Sequence, residues 1–292
     1  MPEMPQVQGL VDFLNQQLAG AAVQTIRLVS FTALKSVAVP PESLVGATVT
    51  QVTRHGKWID LSISTSEGQR HLIFHLARAG WLRWYPQLPT KPARGSPTSP
   101  VALQAGFDRG GFALTEAGTR RKLAIYLVSD PDQVPMIASL GPDPLAPTFT
   151  PDALREVLQH RNQQLKGLLR DQSSLAGIGN AYSDEILHAA RLSPFAHTRA
   201  VAQDADALER LYQAIGSTLR AAIDAASGQP ATALKDAKRA GLAVHGRAGE
   251  PCPRCGDQIR QVSFADSSLQ YCPRCQTGGT VLADRRMSKL LK

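Results

Sequence analysis

The first stretch of the chain places its apolar residues at helical spacing. They fall at Val7, Leu10, Val11, Leu14 and Leu18. Steps of three and four residues put such positions on one face of an α-helix. Pro5 lies just ahead of them, where a helix tolerates proline because the first-turn N–H groups have no intrahelical partner. The pattern therefore predicts a helix directly behind the N-terminus.

The region that follows has the short apolar runs that are typical of β-strands. The runs are Val23 to Val29, Val45 to Val52, Trp58 to Ile63, His71 to Leu76, Phe107 to Leu114 and Lys122 to Val128. In the third run Ile59, Leu61 and Ile63 alternate, which predicts that they share one face. Five prolines between Pro86 and Pro100 predict a surface loop, because strand patterns resume beyond it. A helix followed by strands indicates an α+β protein that begins with a β-sandwich flanked by helices.

The second half of the chain has helical spacing from Pro151 to about residue 227. A Gly- and Pro-rich linker at 141–147 precedes it, and Thr150 and Pro151 suit the N-cap and first position of a helix. The run Gly177-Ile178-Gly179-Asn180 predicts a break, after which a helix resumes. This pattern indicates a separate helical domain.

All four cysteines lie in one short C-terminal segment. Cys252-Pro253-Arg254-Cys255 and Cys272-Pro273-Arg274-Cys275 form two C-x-x-C pairs that flank residues 256–271. Two such pairs joined by a β-hairpin can meet one tetrahedral Zn²⁺, and a redox pair is the alternative. Four thiolates leave no open coordination position, so the predicted zinc is structural. No cysteine remains for a disulfide framework, which indicates an intracellular protein.

The formal charge of +8 predicts a polyanionic partner, and nucleic acid is favoured over a membrane. The chain has no stretch of ~18 uninterrupted apolar residues that predicts a membrane span, and no signal-peptide pattern at its start. We therefore expect a cytoplasmic, nucleoid-associated protein. Basic residues at the extreme C-terminus predict a DNA-contacting tail, with a solvated terminus as the alternative; these are Arg285, Arg286, Lys289 and Lys292.

The first residues suggest a nucleophile. If Met1 is removed, Pro2 has a free secondary amine, and terminal amines have ordinary pKa values near ~8. Attack of that amine on a sugar C1′ forms a permanently cationic iminium, an electron sink. Glu3 beside it is placed to move protons. The alternative is an ordinary Pro-rich start before a helix.

In order along the chain, six motifs resemble those of the formamidopyrimidine-DNA glycosylase and endonuclease VIII family of bifunctional base-excision repair enzymes. The resemblance covers about residues 1–276. The motifs are Pro2-Glu3-Met4-Pro5, Arg54-His55-Gly56-Lys57, His75-Leu76-Ala77-Arg78-Ala79-Gly80, Leu140-Gly141-Pro142-Asp143-Pro144-Leu145, Asp171 to Glu185 with its Gly177-Ile178-Gly179-Asn180 turn, and Val244-His245-Gly246-Arg247.

The resemblance implies a role for each matching residue. Pro2, Glu3 and Lys57 are the implied catalytic residues, with Pro2 as the Schiff-base nucleophile and Glu3 protonating the deoxyribose ring oxygen. The implied DNA contacts are His75, Arg78, Arg120, Lys122, Asn180 and His245; Lys57, His75 and Asn180 grip phosphates around a flipped nucleotide. The implied zinc ligands are Cys252, Cys255, Cys272 and Cys275. The implied partners are damaged and abasic duplex DNA, bound by a monomer.

The chain departs from the family pattern where the lesion is read. Arg78 replaces a Met, and Lys122 and Leu123 replace the Phe-Gly of an Arg-Arg-Phe-Gly motif, so the aromatic wedge that fills the gap left by the flipped base is missing. Gln6 replaces a Glu, and 228–243 is shorter than the loop that covers oxidised guanine. Asp266-Ser267-Ser268 stands where the family has a phosphate-contacting Arg.

These observations predict five segments. They are a catalytic β-sandwich at 1–135, a linker at 136–150, a helix–two-turn–helix domain at 151–243, a zinc finger at 244–276 and a basic tail at 277–292. The predicted activity is that of a DNA glycosylase and AP lyase acting by β-elimination and, in addition, δ-elimination. The alternatives are a non-catalytic relative that binds damaged DNA, and a zinc-ribbon protein of the transcription or translation machinery.

Overall fold

The computed structural model describes residues 2–89, 100–265 and 267–283. Most of the predicted Pro-rich loop, Asp266 and the basic residues from 284 onward lie outside the described residues. The chain divides into two units. One contains 1–139 and 226–237, and the other contains 140–225 and 238–292.

The first unit is the predicted β-sandwich behind an N-terminal helix. Its two antiparallel sheets have the strand orders β1-β6-β7-β5 and β2-β3-β4-β8. The elements are α1 (Met4–Leu18), β1 (Val23–Leu28), a 3₁₀ turn (Pro41–Leu44), β2 (Thr48–His55), β3 (Trp58–Thr65), β4 (Gly68–His75), β5 (Gly80–Tyr85), β6 (Val101–Phe107), β7 (Gly110–Glu116), β8 (Ala124–Val128), a second 3₁₀ turn (Pro131–Gln133) and α2 (Pro135–Ala138). All five apolar residues of the predicted helical stripe are buried.

The structure departs from the predicted strands at three points. The run from Phe107 to Leu114 is a hairpin, because Gly110 has a φ of 121° and turns the chain between β6 and β7. Strand β5 was not predicted. The face of β3 that carries Trp58, Asp60 and Ser62 is buried, as the predicted apolar face is, so β3 is covered on both sides.

The segment Ala226–Ala237 packs within the first unit, although the predicted helical domain at 151–243 includes it. A Cβ on Gly9 of α1 would lie 2.9 Å from the Leu234 side chain and 3.2 Å from the Ala226 Cβ. The Trp81 indole N–H donates to the Ala231 carbonyl at 3.1 Å. The missing side chain at Gly9 thus allows the returning chain to join the core of the sandwich.

The second unit is helical and ends in a small hairpin. Its elements are α3 (Pro151–His160), α4 (Leu165–Arg170), α5 (Asn180–Ala190), α6 (Thr198–Gln203), most of α7 (Ala205–Ala226), the end of α8 (Leu234–Ala240), β9 (Arg260–Ser263), β10 (Ser268–Tyr271) and α9 (Pro273–Gln276). The Thr150 hydroxyl accepts from the Ala153 N–H at 3.2 Å, which confirms the predicted N-cap. Among the described residues, no helix is both long and apolar enough to span a membrane.

Candidate functional site

Pro2 and Glu3 are both buried at the start of α1. Glu3 and Gln6 form a capping box, in which the Glu3 N–H donates to the Gln6 side-chain oxygen at 3.2 Å. Because Gln and Glu serve equally at this position of a capping box, the unusual Gln6 retains the helix start. The two candidate catalytic residues are therefore held on a rigid element.

Helix α1 is fastened to strand β2 by side-chain hydrogen bonds. The Asn15 amide donates to the Val52 carbonyl at 2.6 Å and accepts from the Val52 N–H at 2.8 Å. Nearer the terminus, Arg54 Nε donates to Gln8 Oε1 at 2.9 Å. The partner of Gln8, which is nearer the start of α1, is also nearer the end of β2 than the partner of Asn15 is. The first turn of α1 thus lies at the end of the hairpin that carries Lys57.

The candidate phosphate contacts Lys57 and His75 lie at the same end of neighbouring strands, Lys57 directly before β3 and His75 as the last residue of β4. Lys57 is buried. Desolvation of the His75 ring, together with the nearby charge of Lys57, lowers the pKa of His75 to about 4. The His75 ring packs on Trp58 with centroids 4.8 Å apart, and His75 Nδ1 accepts from the Ala77 N–H at 3.1 Å. A neutral imidazole whose Nδ1 accepts has its proton on Nε2, so His75 presents an N–H donor.

A His–Asp–His cluster lies beneath the same hairpin, and sequence reasoning missed it. The Asp60 carboxylate is 1% exposed; it is 3.1 Å from His55 Nε2 and 2.9 Å from His71 Nδ1. Burial favours a higher pKa for Asp60, but the hydrogen bonds and charge interactions with both imidazoles together lower the pKa of this carboxyl. The polar residues on the second face of β3 were the available signal.

The candidate gap-filling residues Arg78 and Lys122, and Arg120 as a candidate contact of the orphaned base, lie on two loops joined through their backbones. Arg78, Arg120 and Lys122 are exposed, and the Ala117 N–H donates to the Ala79 carbonyl at 3.3 Å. The buried Glu116 carboxylate accepts from the Lys122 N–H at 2.7 Å and from the Leu123 N–H at 2.9 Å. Glu116 therefore fixes the end of the second loop, a role that the sequence did not indicate.

In the second unit, the predicted break before α5 is an ordered turn. The Gln172 side chain accepts from the Gly177 N–H at 2.9 Å and donates to the Ile178 carbonyl at 2.8 Å. Asn180, the first residue of α5, donates from Nδ2 to the Ser268 carbonyl at 2.8 Å. Its Oδ1 is buried and has no hydrogen-bond partner among the described residues. The predicted phosphate-binding Asn is thus attached to the β9–β10 hairpin.

A buried ionic network supports the same helix. The Asp184 carboxylate, 1% exposed, lies 2.6 Å from Lys166 Nζ and 2.7 Å from His245 Nδ1. The neighbouring Glu185 accepts from three consecutive backbone N–H groups, those of Ala243, Val244 and His245. Burial nevertheless raises the pKa of Glu185. His245, a candidate DNA contact, is therefore held in place by α5 through both its side chain and its backbone.

The four cysteines converge as predicted for a metal centre. Their sulfur atoms all lie within 4.8 Å of one another, with Cys255 and Cys272 at 3.4 Å and Cys252 and Cys275 at 4.0 Å. A tetrahedral zinc with Zn–S distances of ~2.3 Å requires sulfur–sulfur separations of about 3.8 Å. The donor set and its spacing therefore fit one Zn²⁺.

Comparison with known proteins gives matches over nearly the whole chain. Models described as the N-terminal and H2TH domains of formamidopyrimidine-DNA glycosylase match residues 1–124 and 140–233, and a zinc finger found in FPG and IleRS matches 249–278. The formamidopyrimidine-DNA glycosylase of Symbiobacterium thermophilum is 32% identical over 98% of this chain and 93% of its own length. The chain belongs to the formamidopyrimidine-DNA glycosylase family.

Solved structures of other family members resemble this structure, and a shorter relative matches about half of the chain. The crystal structure of MutM (Fpg) from Thermus thermophilus has a TM-score of 0.79 at 26% identity, covering 96% of this chain and 100% of that one. Lactococcus lactis Fpg in complex with abasic-site DNA has a TM-score of 0.80 at 26% identity, covering 94% and 99%. An uncharacterized formamidopyrimidine-DNA glycosylase-like protein of Mycobacterium tuberculosis is 52% identical over 158 residues, which are 54% of this chain and 98% of that protein.

Family membership confirms the predicted resemblance, the fold and the zinc. The protein is a DNA-repair glycosylase by family, and its zinc finger holds one structural zinc through Cys252, Cys255, Cys272 and Cys275. Within the first unit the structure brings Pro2 and Glu3 to the hairpin of Lys57, and it pairs the loops of Arg78 and Arg120. Within the second unit it places Asn180 at the start of α5 and holds His245 against the middle of that helix.

Proposed function

We propose that the chain is a bifunctional DNA glycosylase and AP lyase of base-excision repair, acting on damaged and abasic duplex DNA. The observation that carries the proposal is the placement of Pro2 and Glu3. Both are buried at a capped helix start that is fastened to the hairpin of Lys57. A nucleophile has to be held rigidly to attack a sugar carbon.

The proposed reaction begins at the nitrogen of Pro2 after Met1 is removed. The Pro2 amine attacks C1′, the bond from C1′ to the base breaks, and the base leaves with a proton. Glu3 protonates the ring oxygen, the sugar opens, and an iminium joins Pro2 to C1′. The cation acidifies the C2′–H bond, so loss of that proton expels the 3′ phosphate. A second elimination expels the 5′ phosphate, and water then hydrolyses the iminium and releases Pro2.

Several residues are proposed to hold the DNA during these steps. Lys57 offers a point charge to a phosphate, and His75 offers a neutral N–H donor. The start of α5 is proposed to present backbone N–H groups to a phosphate, since helix N-termini suit anions. Arg78 and Lys122 are proposed to fill the gap in the stack with their methylene stems, and Arg120 is proposed to hydrogen-bond the orphaned base. Bound zinc shapes the β9–β10 hairpin and takes no part in the chemistry.

The experiment is incubation of the purified protein with an abasic duplex in the presence of borohydride. The proposal predicts a covalent protein–DNA adduct, together with strand cleavage when borohydride is omitted. Binding without any adduct or cleavage indicates the second candidate, a non-catalytic damaged-DNA-binding protein. The exposed cations at Arg78 and Lys122, which replace apolar gap-filling residues, favour that candidate.

A further inference from the structure

One zinc ligand has a hydrogen-bond partner from outside the zinc finger. His188 lies on α5 and is 6% exposed, and its Nε2 is 3.3 Å from Cys252 Sγ. The two residues are 64 positions apart in sequence. The side chain of a buried helix thus contacts the metal centre directly.

Two of the other thiolates take their N–H donors from the backbone within or just after their own C-x-x-C pairs. Cys255 accepts from the Asp257 N–H, and Cys272 accepts from the Cys275 N–H at 3.5 Å. Cys252 differs because its donor is an imidazole on another element. The contact between His188 and Cys252 therefore attaches the zinc finger to α5, whereas the backbone donors belong to the finger's own local fold.

The direction of this hydrogen bond follows from the chemistry of the ligands. A cysteine bound to zinc is a thiolate, which has no proton and can only accept. Nε2 of His188 must therefore carry the proton and donate it toward sulfur. Four thiolates around one Zn²⁺ leave a net charge of −2, and donors to sulfur disperse that charge. We propose that His188 is a positioning residue of the zinc centre, an outer donor that stabilises the Cys252 thiolate and ties the metal to α5.

Two further hydrogen bonds connect the zinc finger to the C-terminal end of α5 and the residues just beyond it. Arg254 donates to the Ala189 carbonyl at 3.4 Å, and Gln276 donates to the Leu192 carbonyl at 2.9 Å. The finger thus holds the C-terminal end of α5 at three points, and one of them is a metal ligand. The opposite end of α5 carries Asn180, which donates to the hairpin at Ser268. Zinc binding and the geometry of α5 are therefore coupled in this chain.

The experiment compares three variants of the full chain. His188→Leu keeps a similar volume without a donor, and His188→Gln restores an amide N–H. His160→Leu is the matched control, because His160 is exposed on α3 in the same unit. Zinc affinity is measured by competition with a chelator. The sulfur-to-cobalt charge-transfer band is recorded after replacement of zinc by Co²⁺, because it reports the electron density on sulfur.

The proposal predicts that His188→Leu binds zinc ~10-fold more weakly, the lower limit found when outer-shell partners are removed. Its charge-transfer band should move to lower energy, because sulfur loses a hydrogen bond. His188→Gln should restore both values, and His160→Leu should match the wild type. A wild-type band and affinity in His188→Leu would overturn the proposal. Equal losses in His188→Leu and His188→Gln would also overturn it, since they would reveal packing alone.

Discussion

At the scale of single residues, the proposed site depends on one half-buried imidazole, that of His75, which stays neutral. His75 packs on Trp58, accepts from the Ala77 N–H and lies in the field of Lys57. Desolvation of the ring and the charge of Lys57 disfavour the imidazolium form and lower the pKa of His75. A neutral His75 offers one N–H to a phosphate and leaves the positive charge to Lys57.

His75 should make the fold sensitive to acid. Its pKa falls from the ordinary 6.5 to about 4 in the folded protein, so between these values the unfolded chain binds more protons. Stability therefore falls as the pH drops through that window. Between pH 7 and pH 5, His75→Gln should lose less unfolding free energy than the wild type, as measured by urea denaturation. His160→Gln is the control, and an equal loss in all three proteins would contradict the assignment.

Lys57 should contribute a measurable phosphate contact. Each neutralised phosphate adds about −0.9 to the slope of log K against log salt on duplex DNA. Lys57→Ala should flatten the slope by roughly one unit. Lys35→Ala, which removes an exposed lysine of the same unit, should leave it unchanged. If the two variants have the same slope, Lys57 does not neutralise a phosphate.

At the scale of secondary-structure elements, helix α5 positions the candidate DNA-contacting residues of the second unit. Asn180 stands at its first position, Asp184 and Glu185 hold His245 from its middle, and His188 contacts the zinc ligand Cys252 at its last turn. A single helix thus connects the ordered turn, the hairpin and the metal centre.

Asp184→Asn should test this support. Asp184 is the buried partner of Lys166, and removing one member of a buried ion pair costs ~3–5 kcal/mol because a charge is left uncompensated. Asp152→Asn is the control, since Asp152 pairs with Arg155 at the surface and such pairs contribute ~0–1 kcal/mol. Urea denaturation of the zinc-loaded protein measures both. Equal unfolding free energies would show that the network does not stabilise α5.

The sequence predicted correctly those features that are specified by residues close together in the chain. The two C-x-x-C pairs identified all four zinc ligands, and Thr150-Pro151 identified the start of α3. The run from Phe107 to Leu114 was wrongly predicted as one strand, because its apolar residues outweighed the turn signal at Gly110. The contact of His188 with Cys252 joins residues 64 positions apart, so no local pattern marks it. The contact of Asp60 with His71 spans neighbouring strands, and only the polar residues on the second face of β3 pointed to it.

At the scale of the whole molecule, the family scaffold is retained, while the residues that we expect around a lesion depart from the family pattern. The segment 228–243, where the related branch is expected to have a loop covering oxidised guanine, is largely occupied by α8 and by residues packed in the sandwich core. Arg78 and Lys122 must also be partly desolvated to fill a gap in the stack, which costs free energy. Both features should weaken handling of a bulky flipped base.

We therefore predict that 8-oxoguanine opposite cytosine is a poor substrate, and that abasic sites and oxidised pyrimidines are processed faster. A paired, stacked purine requires several kcal/mol for extraction, whereas an abasic site requires no base extraction. Single-turnover rates on duplexes of identical flanking sequence measure the difference. Excision of 8-oxoguanine as fast as cleavage at an abasic site would show that neither the loop nor the cations limit substrate choice.

The identity of the nucleophile tests the central claim most directly. After borohydride trapping on an abasic duplex, proteolysis and mass spectrometry locate the residue that carries the reduced sugar. The proposal predicts the adduct on the amine of Pro2 in protein that has lost Met1, and no adduct when the terminus is acetylated. An adduct on an internal lysine, or trapping that persists in protein retaining Met1, would contradict it.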